Sequence, residues 1–287
     1  MRAQISNLRS LQRLNAKMRF VRSNGAIFAT GASESMNLIR ACFMLLVAIS
    51  ASADMPKDGG QYLKDAAVSE TKDSVHITAN SPRPLAQVLE ALQKKYGWVV
   101  DYEDPQYTAS QDLTEGSSNG QSLKYPSGGS FSVEFPAKSP DEEKTLRLIV
   151  DAYNHSKNPG QFELRRGPDR RFSVVGNGAH DEKGAVTPQT PPLDVPVTLS
   201  ADERSVGDTL DLLCEELTKQ SHVDVVIAVS PRSLLSKNSA KIGGTKIQAR
   251  ELLLQNLAAT HHSLYWILLY DPNTKGYFLS IHSAKNS

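Results

Sequence analysis

The sequence contains the same order of short strands and amphipathic helices twice. The first copy begins at Val75–Ala79, where apolar residues alternate as in a half-buried strand. A helical segment follows, with Pro84 in its first turn and Gly97 at its end, where glycine accepts the left-handed backbone of a helix exit. Its apolar residues recur at i, i+3, i+4 and i+7, namely at Leu85, Val88, Leu89 and Leu92. A related strand and helix begin near Val197. Such a repeat predicts two small α+β units, each with its own core.

Each copy is predicted to follow the order β-α-β-β-α-β-β, with small sheets packed on two helices. The first unit covers residues 73–176 and ends in a hairpin around Gly167-Pro168-Asp169. It is interrupted by residues 104–130, which are rich in glycine and serine and are predicted to form a long loop. The proline- and glycine-rich residues 177–194 are predicted to be a linker to the second unit, residues 195–287. The predicted fold class is therefore α+β with tandem units.

Residues 36–53 have the composition of a secretory signal peptide. Arg40 precedes the apolar run 41–50, and Ala51-Ser52-Ala53 is a small-residue cleavage site, which makes Asp54 the predicted mature N-terminus. The apolar run is shorter than the roughly 20 residues that a transmembrane helix needs. We therefore expect a periplasmic or secreted protein without a stable membrane span after cleavage. The alternative is that the signal is retained as an N-terminal anchor.

The basic residues are concentrated ahead of this cleavage site. Residues 1–53 contain seven Lys and Arg against one acidic residue, whereas residues 54–287 contain 25 basic and 30 acidic residues. A mildly acidic body offers no basic surface for nucleic acid. Because residues 1–35 precede a complete signal, one interpretation is that translation starts at Met36, and the other is a long n-region. Residues 54–72 are polar and are predicted to be a flexible lead.

No group of residues has the spacing of a catalytic site or a metal centre. Adjacent His261 and His262 point in different directions, and neither they nor His282 have a Cys or Glu at ligand spacing. Cys214 lies on an apolar helix face, which favours a buried structural thiol over a nucleophile. Nothing in the sequence matches the Ser/His/Asp arrangement of a hydrolase. We predict neither catalytic residues nor a cofactor.

Three carboxylates cluster at the end of the strand after the first helix. Asp101 and Glu103 alternate with the apolar residues of that strand, and Asp104 follows them. Paired carboxylates can perform acid–base chemistry if their pKa values differ. The alternation instead predicts that Asp101 and Glu103 lie on the solvent face of the strand.

The repeated pattern resembles the short N-terminal domain of secretins and TonB-dependent receptors, and the related N-terminal domains of secretins. In that family a strand is followed by a helix of the form LxxxLxxLxxxxG, a second strand, a loop, another helix and a terminal hairpin. The positions that carry the resemblance in this sequence are Leu85, Leu89, Leu92 and Gly97–Val100 in the first unit, and Val206, Leu210, Leu213, Val225–Ile227, Arg250–Leu253 and Leu264–Trp266 in the second.

The resemblance covers residues 75–176 and 195–282. It implies an STN-like fold and a periplasmic signalling or docking role. The sequence departs from the family pattern in the inserted residues 104–130. It also has Gln220-Ser221-His222 where the family has a glycine after the first helix of a unit.

Two groups of residues are candidates for partner binding. Tyr102, Tyr107 and Tyr125 could form a recognition surface with the inserted loop, because tyrosine provides contact area at low entropic cost. The alternative for these rings is core packing. Arg165, Arg166 and Arg170 flank the first hairpin turn and could bind an acidic partner, or they could be a solvated hairpin tip.

From these observations we expect an exported, non-catalytic protein-interaction or ligand-docking protein of the bacterial cell envelope. Its partner is expected to be a protein, because edge strands of small sheets can accept an added strand without any catalytic group. Two alternatives remain open, an envelope hydrolase with its site between the units and a structural subunit of an envelope assembly.

Overall fold

The computed structural model describes residues 66–80, 82–118, 121–168 and 171–284. The predicted signal peptide, its cleavage site at Ala53 and Asp54, and Arg170 lie outside these residues. The described part contains five α-helices, α1 (Pro84–Tyr96), α2 (Glu142–Asn154), α3 (Val206–Ser221), α4 (Arg232–Lys237) and α5 (Ala249–Ala258). Its fourteen strands are β1 (Ala67–Glu70), β2 (Ser74–Ala79), β3 (Val100–Glu103), β4 (Leu113–Ser118), β5 (Gln121–Pro126), β6 (Phe131–Pro136), β7 (Gln161–Arg166), β8 (Phe172–His180), β9 (Val186–Pro188), β10 (Pro196–Ser205), β11 (Val225–Ile227), β12 (Ser239–Gln248), β13 (Leu264–Asp271) and β14 (Gly276–Ser283). The predicted mixed α+β class is confirmed.

The helices begin and end where local chemistry favours it. Helix α1 has Pro84 at its start and ends at Gly97, whose φ of 71° is left-handed. Helix α3 is capped by Ser205, whose hydroxyl accepts the Asp208 N–H at 3.0 Å. At its other end, where the expected glycine is missing, His222 adopts the left-handed conformation with φ of 57°.

The strands of the first half (residues 66–194) and the second half (residues 195–284) pair in the same order. In the first half β2 pairs with β6, and in the second half β10 pairs with β12, both antiparallel. Strand β3 pairs in parallel with β8, and β11 pairs in parallel with β14. Each half also has an antiparallel hairpin, β7 with β8 in the first and β13 with β14 in the second. The predicted hairpin after residue 160 is thereby confirmed.

The two halves share one sheet instead of having separate small sheets. Strand β13 pairs in parallel with β3, with Ile267 opposite Tyr102 and Leu268 opposite Glu103. This junction produces a seven-stranded sheet of order β11-β14-β13-β3-β8-β7, to which β9 is added beside β8. Strands β1, β2 and β6 form a further three-stranded sheet, while β10 with β12 and β4 with β5 form two-stranded sheets.

The two cores lie on opposite faces of the shared sheet. Paired residues of neighbouring strands point to the same face. Tyr102 and its partner Ile267 contact the core of the first half, which contains α1 and α2. Leu268, opposite Glu103, contacts the core of the second half, which contains α3 and α5. The helices of one half therefore cover one face, and those of the other half cover the opposite face.

Three segments predicted to be irregular contain paired strands among their described residues. Within the predicted loop 104–130, β4 and β5 pair as a hairpin, because polar side chains do not prevent backbone pairing. The predicted linker 177–194 contains the end of β8, β9 and a 3₁₀ turn at Pro192–Asp194, where Leu193 is fully buried. Residues 67–70 of the predicted flexible lead form β1, which pairs with β2. Few large apolar residues are needed in these segments, because the backbone itself supplies the pairing.

Candidate functional site

The three carboxylates at the end of β3 are buried. Asp101, Glu103 and Asp104 each have no exposed surface, so the prediction that Asp101 and Glu103 lie on a solvent face is wrong. The reason is the position of β3 between β13 and β8, where both faces of the strand are covered by protein.

Each of these carboxylates is paired with an arginine. Arg171 Nε donates to Asp101 Oδ2 at 2.6 Å. Arg83 Nε donates to Asp104 Oδ2 at 2.6 Å. Arg250, on α5 of the second half, forms a salt bridge with Glu103. The negative charges are thus compensated by cations within salt-bridge distance, as buried charges require.

Two of these carboxylates also accept backbone N–H groups of the second half. Asp101 Oδ1 accepts from Trp266 N–H at 3.0 Å, and Asp104 Oδ2 accepts from Tyr270 N–H at 3.1 Å. These two donors lie on β13 on either side of its short ladder with β3, so the side chains extend the pairing of the two strands. The arrangement joins the two halves and leaves no carboxylate directed into a cleft.

Burial raises the pKa of Asp101 and of Glu103, because removal from water disfavours the charged form. The ion pairs with Arg171 and Arg250 act in the opposite direction on these pKa values. A shifted carboxyl pKa is common at catalytic sites. Here the raised pKa values follow from the burial of Asp101 and Glu103 at the contact between the two halves.

Two of the three predicted contact tyrosines are inaccessible. Tyr102 and Tyr107 are each 2% exposed, so the prediction that they form a recognition surface is wrong. Tyr102 packs in the core of the first half and its hydroxyl donates to Asp104 Oδ1 at 2.8 Å. Tyr107 packs in the core of the second half. Tyr125, on β5, is partly buried and remains at the surface of the β4–β5 hairpin.

The predicted contact arginines have partners within the chain. Arg165 Nη1 lies 2.7 Å from Asp194 Oδ2, and its Nε donates to Glu163 Oε1 at 2.5 Å. Arg166 is more exposed and lies 3.5 Å from a carboxylate oxygen of Glu143. The pairing of Arg165 favours a structural role for it, whereas Arg166 remains accessible at the hairpin.

The prediction that Cys214 is a buried thiol is confirmed, and the three histidines considered as metal ligands lie in two separate places. His261 and His262 are exposed, and His282 lies apart from them in a stack with Tyr265, with ring centroids 5.2 Å apart. Among the residues described, no group of three or more His, Cys, Asp or Glu could hold a metal ion. Cys214 is 5% exposed, and its burial raises the pKa of the thiol to about 12.

A groove of about 310 Å³ lies between β1 and α1. Val68 forms its strand side and is 43% exposed, while Ala91 and Lys94 belong to its helix side. Val68 is paired with the core residue Ile77, so it points to the same face of the sheet as the core of the first half. The groove is therefore a continuation of that core to the surface. Sequence reasoning missed it because residues 67–70 were assigned to a flexible lead.

Strand β1 is the edge of its sheet. Thr71 N–H donates to the Ser74 carbonyl, and Ser69 and Ala67 are the next alternate residues that face β2. By the alternation of an antiparallel ladder, the N–H and C=O groups of Val68 and Glu70 point away from β2. Within the described ranges no strand pairs with them. All four residues of β1 are exposed.

Comparisons with protein-family models, with curated proteins and with solved structures found no match to this chain. Among the helices of the described residues, none combines the length and the apolar character that crossing a bilayer requires.

Proposed function

We propose that the chain is an exported, non-catalytic docking protein of the cell envelope that binds an extended segment of a partner protein at β1. The observation that carries this proposal is the groove between β1 and α1 beside a strand edge with which none of the described strands pairs. An edge strand offers hydrogen bonds to any backbone, and an adjacent pocket for alternate side chains supplies specificity. Export is supported by the signal-like residues 36–53.

The proposed architecture is a tandem pair of STN-like units. Its support is the equal order of strand pairing in the two halves, together with the apolar and glycine positions named above. A docking role fits this architecture because such units present short sheet edges. The buried carboxylates of β3 are assigned to the joint between the units.

The bound segment would continue the sheet beyond β1. Its backbone would pair with Val68 and Glu70, and the side chain on the core-facing side would enter the groove. Ala91 and the side chain of Val68 make part of this groove apolar, whereas Glu90 and Lys94, whose charged groups lie 3.0 Å apart, form its rim. We therefore propose a partner segment with an apolar residue flanked by polar residues at alternate positions.

Selection of phage-displayed peptides on the purified protein tests this mode of binding. The variant Val68→Pro removes an outward N–H without removing a bond to β2, so it serves as the counter-selection target. We expect peptides with alternating apolar residues that bind the native protein and fail to bind Val68→Pro.

Val68→Thr is the matched control, because it keeps the backbone donor and the β-branched shape. Peptide binding retained in Val68→Thr and lost in Val68→Pro supports strand addition, provided that both variants keep the native circular dichroism spectrum and melting temperature. Equal binding to native protein and Val68→Pro, or no enrichment on either, contradicts the proposed site.

A further inference from the structure

The seven-stranded sheet has two outer edges, β7 in the first half and β11 in the second. In the described part of the chain neither strand is paired on its outer side. Their relation to the strands that join the halves indicates what can pair with them.

The register of the two halves identifies the equivalent strands. Strands β8 and β14 are each flanked by a parallel partner and a hairpin partner, and the residues aligned across these three strands can be matched. The matching rows are Val100–Phe172–Arg166 and Val225–Tyr277–Tyr270. Strand β11 is thus the counterpart of β3, and β7 is the counterpart of β13. Strands β3 and β13 pair with each other inside the chain. The outer edges β11 and β7 are therefore the counterparts of two strands that already form a pair.

The backbone of β11 is oriented to repeat this pairing. Its bonds to β14 involve the Asp224 carbonyl, which accepts from Tyr277 N–H, and the Ala228 N–H, which donates to the Leu279 carbonyl. By alternation in a parallel ladder, the N–H and C=O groups of Ile227 point outward. Ile227 is the counterpart of Tyr102, which lies at the junction with β13.

The backbone of β7 also directs N–H and C=O groups to its outer side, where they could pair with those of β11. The outward groups of Phe162 are bonded to the side chain of Asn154, at 2.7 Å and 2.9 Å. By alternation the N–H and C=O groups of Leu164 point outward as well. Leu164 is the counterpart of Leu268, whose carbonyl accepts the Asp104 N–H at the inner junction at 2.9 Å.

Exposed apolar side chains accompany the β11 edge. Val226 is 45% exposed and Val229 is 56% exposed. Val226 and the exposed Ala228 occupy the positions that Asp101 and Glu103 occupy on β3. In the inner junction those two positions are fully buried, with Trp266 and Arg250 of the second half among the residues that contact them. A neighbour placed in the same way on β11 would cover Val226 and Ala228.

We propose that copies of this chain associate head to tail, with β7 of one copy paired in parallel with β11 of the next. Leu164 would lie beside Ile227 of the neighbour, as Leu268 lies beside Tyr102 within the chain. The repeated pairing is limited to Ile227, because the Val229 carbonyl accepts the Ile281 N–H of β14 at 2.8 Å. The contact is heterologous, so it builds a closed ring or an open filament and does not stop at a symmetric dimer. It lacks the arginine-paired carboxylates of the inner junction and is therefore weaker and reversible. This interface is separate from the β1 groove and does not depend on peptide docking there.

Sedimentation velocity over a concentration series, with two edge-blocked variants, tests the proposal. Ile227→Pro and Leu164→Pro each remove one outward N–H and leave the bonds to β14 or β8 in place. We expect the native protein to grow beyond a dimer as concentration rises and each variant alone to be monomeric. An equimolar mixture of the two variants should form dimers and nothing larger, because it contains one intact β7 edge and one intact β11 edge.

Three results overturn the proposal. They are a native protein that stays monomeric at its highest soluble concentration, a Leu164→Pro variant that still dimerises alone, and a mixture that shows no dimer. If a proline variant loses the native circular dichroism spectrum, Ala228→Lys replaces Ile227→Pro, because it places a charge in the contact without altering the backbone. Peptide binding at β1 should be unchanged in Ala228→Lys, which separates failure of this interface from failure of the docking site.

Discussion

Glu103 on β3 and Arg250 on α5 form a salt bridge between the two halves of the chain, with 147 positions separating them. The Glu103 side chain is fully buried and the Arg250 side chain is 10% exposed. The arginine also lies over the ring of Trp266, 5.4 Å from the ring centroid. The bridge therefore connects the central strand of the first half to the helix and sheet of the second.

Arg250→Met should destabilise the protein by about 3–5 kcal/mol, because it leaves a buried carboxylate without its cation. The free energy of unfolding in urea measures this change. Arg147→Met is the control, since Arg147 and Glu143 form an exposed pair on α2 and its loss should change stability by about 0.5 kcal/mol or less. The double variant Glu103→Gln/Arg250→Met should be more stable than Arg250→Met. A double variant that is less stable would contradict the assigned pairing.

His222→Gly should stabilise the protein by about 1 kcal/mol, because a side chain in the left-handed conformation is strained and glycine is not. Gly97→Ala, at the equivalent helix end of the first half, should destabilise it by a similar amount. Thermal unfolding of both variants measures the two effects. A stabilising Gly97→Ala would show that the left-handed residue is not required there.

His282 should make the protein less stable as the pH falls below 6.5. Burial lowers the pKa of His282 below its ordinary value of 6.5, with the Glu90 carboxylate opposing this shift. The unfolded chain then binds the proton first, so the contribution to stability is present above pH 6.5 and is lost as the pH falls towards the folded pKa. His282→Phe keeps a ring against Tyr265 and should remove this part of the pH dependence. The free energy of unfolding, measured against pH for both proteins, tests it. Parallel curves for the two proteins would contradict the assignment to His282.

The Cys214 thiol should be unreactive in the folded protein. With its pKa raised to about 12 and 5% of the residue exposed, it has neither thiolate character nor access at neutral pH. Peptide-level mass spectrometry after iodoacetamide treatment should find Cys214 unmodified without urea and modified in unfolding concentrations of urea. Rapid native labelling would indicate that α3 does not pack as described.

Sequence could predict helices α1, α2, α3 and α5 and the hairpins β7–β8 and β13–β14, because their apolar spacing and end residues are local signals. The short helix α4 could not be predicted, since six residues are too few to show a helical period. Helix α1 is the clearest case, with its apolar face between Pro84 and Gly97. Strands β4, β5 and β9 could not be predicted, since their residues are polar and their pairing is made by the backbone. Spacing shows which residues share a face, but not whether another part of the chain covers it.

The candidate site could not be predicted correctly without knowing which faces the rest of the chain covers. The alternation around Asp101 and Glu103 placed them correctly on the face opposite Tyr102, yet that face is covered by the second half. The β1 groove was missed because the sequence of its strand has no apolar alternation, with only Val68 as a large apolar residue. Only the position of the strand beside α1 reveals the groove.

Unfolding followed separately in each half tests most directly whether the two halves form one unit joined at β3 and β13. The protein has two tryptophans, Trp98 in the first half and Trp266 in the second. Trp98→Phe leaves fluorescence that reports on the second half, and Trp266→Phe leaves fluorescence that reports on the first. In each variant the fluorescence and far-UV circular dichroism transitions in urea should coincide. Separate transitions, with one half unfolding while the other remains folded, would contradict a single unit.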